Sequence, residues 1–133
     1  MILAMFLSLL IAAASAEGEL QVKGRCDYSE TVREKAGDTV LVTCNAVTLR
    51  ERAGNFEIAF GQRSFDTATI FHGFDADGPI EIDRITLANG STYDAEGTCE
   101  IVYRGGRMSG ASCLVRARGT FYAANFIANR IDP

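Results

Sequence analysis

The chain has no tryptophan, a single histidine and only two prolines in 133 residues. With His72 the one imidazole, a Ser- or Cys-dependent hydrolase has a single candidate base, and no Gly-x-Ser-x-Gly elbow accompanies it. The missing tryptophan removes a sugar-stacking platform, and nothing in the spacing places two carboxylates at the separation that glycoside cleavage needs. Basic residues are also scarce: 13 Lys and Arg against 17 Asp and Glu give a net charge of -4. A chain of that charge has no general attraction for phosphate, so nucleic acid is not an expected partner.

Metal-binding patterns are absent too. The four cysteines, Cys26, Cys44, Cys99 and Cys113, are separated by 18, 55 and 14 positions, whereas a zinc site needs ligand pairs two to four residues apart. Asp75-Ala76-Asp77-Gly78 begins like a calcium loop, but aligning Gly78 with the obligatory glycine puts Gly73 at the first ligand position and Arg84 where a bidentate glutamate belongs. No metal, cofactor or catalytic residue is expected, and the aspartates read as solvated turn chemistry.

What the chain has in abundance is apolar residues at its start. Fourteen of the first sixteen are apolar, only Ser8 and Ser15 being polar, and the stretch ends in Ala12-Ala13-Ala14-Ser15-Ala16. Sixteen residues fall short of the roughly 20 needed to cross a bilayer. The small-residue ending predicts a secretory signal peptide over 1–16, cut between Ala16 and Glu17, although its start has no Lys or Arg. The expectation is a single mature domain, 17–133, in a periplasmic or extracellular space. In such a compartment four cysteines in a small domain predict two disulfides.

The mature part has no stretch of eleven or more residues with a convincing helical period, and short period-2 alternations recur between turn signals. It therefore reads as all-β, a small antiparallel sandwich or partly open barrel of seven to nine short strands. A first strand over Leu20–Tyr28 puts Leu20, Val22, Gly24, Cys26 and Tyr28 on one face. Thr31 and Glu34 have capping-box spacing, so a turn or two of helix is expected before Gly37. A second strand, Thr39–Arg50, pairs with the first so that facing indices sum to 70, setting Cys26 opposite Cys44 and Tyr28 opposite Val42. Further strands carry Phe56, Ile58 and Phe60, then Phe65–Phe74, then Ile80, Ile82, Ile85 and Leu87 with a phase slip near Asp83-Arg84 that marks a bulge. Asn89-Gly90 predicts a type I′ hairpin turn; with Ser91 it also forms a glycosylation sequon, which the turn explains without modification.

Thr98–Arg104 and Arg107–Phe121 flank Gly105-Gly106. A simple two-residue turn there makes facing indices sum to 211, which throws Cys99 and Cys113 onto opposite faces. A three-residue loop, or one bulge near Gly110, raises the sum to 212, and Cys99 then faces Cys113 while Ile101 faces Ala111. The predicted bridges are Cys26–Cys44 and Cys99–Cys113.

Candidate binding surfaces are Arg104, Arg107, Arg116 and Arg118, which read as one Arg-rich ribbon, and the aromatic stretch Phe71-His72-Gly73-Phe74. The functional expectation is an exported, non-catalytic β-domain that binds a protein or a cell-envelope component. Two alternatives stand beside it: a carrier of a lipid or aromatic ligand, lined by the eight Phe and four Tyr, and a small hydrolase using Asp75, Asp77 and Glu81. A membrane-spanning barrel is disfavoured because the strands read as shorter than about 9–11 residues and are broken by glycine. Nothing in the sequence fixes the oligomeric state.

Overall fold

A computed structural model describes residues 17–62 and 68–129. Residues 1–16, 63–67 and 130–133, and with them the expected signal peptide, lie outside the described residues. The elements are β1 (Glu17–Cys26), α1 (Glu30–Lys35), β2 (Val40–Leu41), β3 (Ala46–Arg52), β4 (Asn55–Gly61), β5 (Thr69–Asp75), β6 (Ile80–Thr86), β7 (Thr92–Arg104), β8 (Arg107–Ala117) and β9 (Thr120–Ala128).

Eight of the nine strands pair in the order β1-β3-β4-β5-β6-β7-β8-β9, and β9 returns to β1, so the sheet closes into an antiparallel barrel. The ninth, β2, lies outside the closed ring and runs parallel to β9. The all-β expectation holds in its barrel form. Eight strands leave an interior just wide enough for side chains to fill. Phe60, Phe71, Phe126, Ile58, Ile85, Val47, Val115 and Cys99 fill it, each less than 2% exposed. Phe60 and Phe71 meet edge to face, ring centroids 5.4 Å apart. No charged or polar residue is buried among those described. Apolar side chains point in and charges point out, the reverse of a lipid-facing barrel with a polar lumen.

Both expected disulfides are present, Cys26–Cys44 and Cys99–Cys113. Two disulfides are consistent with an oxidising compartment. In the second hairpin Cys99 faces Cys113 and Ile101 faces Ala111, while nearer the turn Tyr103 faces Met108. The sum changes from 212 to 211 between these pairs, so the extra residue is Ser109, one position before Gly110. Its hydroxyl donates to Val102 O at 3.2 Å. The bulge at Asp83 is also present: His72 faces Arg84 and Gly73 faces Ile82, leaving Asp83 unmatched on β6.

Four details differ from the sequence reading. The second strand is not continuous. β1 pairs with β3 with indices summing to 69, and the chain between β2 and β3 crosses the barrel end, where the Cys26 N–H donates to Cys44 O. The helix is capped by Ser29, whose hydroxyl accepts from Val32 N, and not by Thr31. The Asn89-Gly90 turn is not type I′: only Gly90 has positive φ, its N–H donates to Leu87 O, and Asn89 Oδ1 accepts from Ser91 N, so the carboxamide stabilises a three-residue loop instead. Finally, 107–121 is two strands. Arg118 and Gly119 (φ 54° and 79°) make a tight turn between Ala117 and Thr120, and β9 beyond it closes the barrel. The expected strand over Phe65–Phe74 is seen from Thr69; its start falls outside the described residues.

Candidate functional site

The outward residues divide the barrel wall into two faces of different chemistry. Across six strands, Glu19, Arg50, Glu57, His72, Arg84 and Asp94 are successive cross-strand partners, a single row of ionisable residues from β1 to β7. Opposite charges set directly across a strand pair attract, and each exposed pair contributes only modestly. Glu19 and Arg50 form an ion pair. His72 is the most enclosed member, its side chain 13% exposed. Its Nε2 lies 2.8 Å from Thr86 Oγ1, which lies 2.9 Å from Thr92 Oγ1. Its Nδ1 stands 3.5 Å from Glu57 Oε2, an electrostatic contact and not a formed hydrogen bond. Burial pushes the imidazole below its ordinary pKa and the Arg84 guanidinium adds to that, against the opposing pull of Glu57 and Asp83. A neutral ring with its proton on Nδ1 suits this setting, because Nδ1–H then points at Glu57 and Nε2 accepts from Thr86.

The other face belongs to β7, β8 and β9. Here Val102, Leu114, Phe121 and Ile127 point outward, each at least 40% exposed. In the register Val102 faces Gly110, which faces Ile127; Leu114 faces Ala123; and Phe121 faces Arg116. Ser112 and Asn125, small and polar, sit between those rows. The bare Gly110 leaves a saddle between Val102 and Ile127. Beside this face stands α1, none of whose residues is buried. The helix and the outer wall enclose an open groove of about 660 Å³ whose apolar lining is Val32, Ala36, Leu41, Leu114 and Ala123. Tyr28 anchors its base: the hydroxyl lies 2.6 Å from Val42 O and 3.1 Å from Ala123 O and accepts from Asn125 N at 3.3 Å. Burial pushes the Tyr28 pKa above its ordinary value, partly offset by the Asn125 N–H.

The structure separates the residues that the sequence grouped. Arg104 and Arg107 face each other at the tip of the β7–β8 hairpin. Arg116, opposite Glu96, and Arg118, whose guanidinium lies 4.7 Å from the centre of the Tyr93 ring, are at the other end of β8. Nine residue steps along the extended strand, ~30 Å, part Arg107 from Arg116, so the four arginines form two separate pairs. Phe71 is enclosed inside the barrel and Phe74 is 43% exposed, while His72 belongs to the charged row. Asp75, Asp77 and Glu81 lie exposed around the β5–β6 turn. Among the described residues no three His, Cys, Asp or Glu side chains are grouped to hold a metal, and no helix is long and apolar enough to cross a membrane. Sequence reasoning missed the outer face of β7–β9, because its apolar residues looked like ordinary members of alternating strands until their exposure was known.

No known protein family, curated protein or solved structure matches this chain.

Proposed function

We propose that the chain is an exported, non-catalytic binding module that docks another protein on the outer face of β7–β9 and in the groove beside α1. The observation that carries this reading is the company of Val102, Leu114, Phe121 and Ile127 on one outward face, with Val32 of α1 next to it. Large apolar side chains exposed together on one face cost solubility and mark interaction sites, and the row Glu100, Ser112 and Asn125 between them supplies polar contacts. The filled interior supports the same reading over a ligand carrier, since Phe60, Phe71 and Phe126, which could have lined a cavity, fill the barrel themselves. The disulfides and the apolar leader, together, support an extracytoplasmic location.

The test is retention of a partner from native envelope extract by the immobilised, oxidised chain. The Leu114→Lys/Ile127→Lys variant loses the retained protein, while Arg84→Ala on the charged face keeps it. Failure of the unsubstituted chain to retain any protein above background, or equal retention by the face variant, contradicts the reading.

A further inference from the structure

A second opening lies at the seam of the barrel. β1 begins at Glu17, but its pairing with β9 covers only Gly24 to Cys26, extended by the Asn129 N–H donating to Lys23 O. Residues 17–23 of β1 are held by β3 on the other side. On the far bank, β8 pairs with β9 from Gly110 onward, so Arg107–Ser109 also lack a strand on that side among the described residues. The two edges flank the line that β9 would follow if it continued. In antiparallel pairing alternate residues present their backbone groups to the same neighbour. Since Lys23 O faces β9, Gln21 and Glu19 present their N–H and C=O groups to the opening.

The opening has a volume of about 490 Å³ and takes in Leu20, Val22, Met108 and Ala128 as apolar lining, with Lys23 and Arg107 at its rim. Glu19, whose backbone borders the opening, holds its carboxylate on Arg50, and no other acidic residue is among those that line it. Strands flanking one missing strand are ~9.5 Å apart, which admits a single extended chain and is too narrow for a helix of about 10–12 Å. A row of backbone donors and acceptors is a poor wall for a hydrocarbon tail and a good one for a peptide backbone, the basis of recognition by strand addition.

We propose that this seam binds an extended peptide of a partner protein, alternating apolar and acidic residues, as an added strand between β1 and β8. The apolar side chains point inward onto Val22, Met108 and Ala128. The carboxylates point outward to Lys23 and Arg107. This goes beyond the docking face on β7–β9 and uses different residues.

The experiment follows backbone amide shifts and hydrogen exchange in the full mature chain titrated with acetyl-Val-Asp-Val-Asp-Val-amide, and separately with acetyl-Val-Lys-Val-Lys-Val-amide and with decanoate. The acidic peptide is expected to give saturable shifts confined to 18–23 and 106–109 and to slow exchange at Gln21. The lysine peptide, and the Lys23→Glu/Arg107→Glu variant with the acidic peptide, are each expected to bind at least tenfold more weakly. Leu114→Lys, which breaks the docking face away from the seam, leaves peptide binding unchanged, so the two readings fail separately. Equal binding of both peptides, saturation by decanoate alone, or binding only to a chain ended at Asn129, which shows that 130–133 hold the seam themselves, overturns the proposal.

Discussion

Cys99 and Cys113 are direct cross-strand partners, their Cα atoms 4.1 Å apart, and the register that unites them is set by one unmatched residue, Ser109, near the tip of the same hairpin. Deleting Ser109 removes the bulge and shifts every later residue back by one, so a regular two-residue hairpin still sets the same two cysteines face to face. Peptide mapping without reduction is expected to find the Cys99–Cys113 linkage retained in the deletion variant. Loss of the linkage there contradicts Ser109 as the one unmatched residue of the hairpin.

Each bridge closes a short loop, with sequence separations of 18 and 14. On the chain-entropy estimate each contributes about 3 kcal/mol. Against a net stability of about 5–15 kcal/mol for a small domain, reducing both is expected to shift the urea midpoint far down or abolish folding. Unchanged unfolding curves in reductant contradict this.

Gly73 lies where β5 meets the β6 bulge so closely that an added Cβ stands 2.0 Å from Glu81 O, a backbone atom that cannot swing aside. Gly73→Ala therefore forces the strands apart and is expected to cost at least about 1–3 kcal/mol, the range for overpacking. Thermal unfolding measures it, and a midpoint equal to the parent contradicts the close approach.

His72 makes stability depend on pH in a stated direction. Its folded pKa is below the ordinary value of about 6.5, so as pH falls through 6.5 the unfolded chain takes up a proton that the folded chain declines. Stability conferred by the neutral ring is full above about pH 6.5 and is lost as pH falls toward the folded pKa, with a slope of at most about 1.4 kcal/mol per pH unit. In His72→Gln this component of the profile disappears. Identical pH profiles for the two proteins contradict the burial of the ring.

Tyr28 acts at the other extreme. Its folded pKa lies above the ordinary value of about 10, so the unfolded chain releases its proton first and stability falls as pH rises past 10. Tyr28→Phe removes that alkaline loss and also leaves Val42 O without its 2.6 Å donor, a change expected to cost about 1–3 kcal/mol at neutral pH. Urea unfolding at pH 7 and absorbance titration near 295 nm check both parts.

Much of this architecture is written in local pattern. Period-2 alternation located β4 through Phe56, Ile58 and Phe60, and β6 through Ile80, Ile82 and Ile85. The requirement that no buried thiol be left alone called for a three-residue loop or a bulge near Gly110, and the bulge is the one found, at Ser109. What the sequence concealed depends on contacts between distant strands. Arg118 takes a left-handed turn conformation that arginine does not advertise, and its stacking on Tyr93 helps hold it there, so β9 and barrel closure went unseen. The row from Glu19 to Asp94 needs five correct registers at once, two of them beside bulges. The Arg-rich ribbon failed for a related reason: residues at both ends of a long hairpin are near in sequence pattern and far apart in space.

Site-specific photo-crosslinking tests the docking face most directly. A crosslinking side chain is placed at Leu114 or Ile127 on the outer face of β7–β9, and at Asp94 on the charged row, and each protein is irradiated in its native cells. The expected result is one discrete protein captured from both Leu114 and Ile127 and nothing from Asp94. Capture from all three positions alike, or from none, contradicts a protein-binding face on β7–β9.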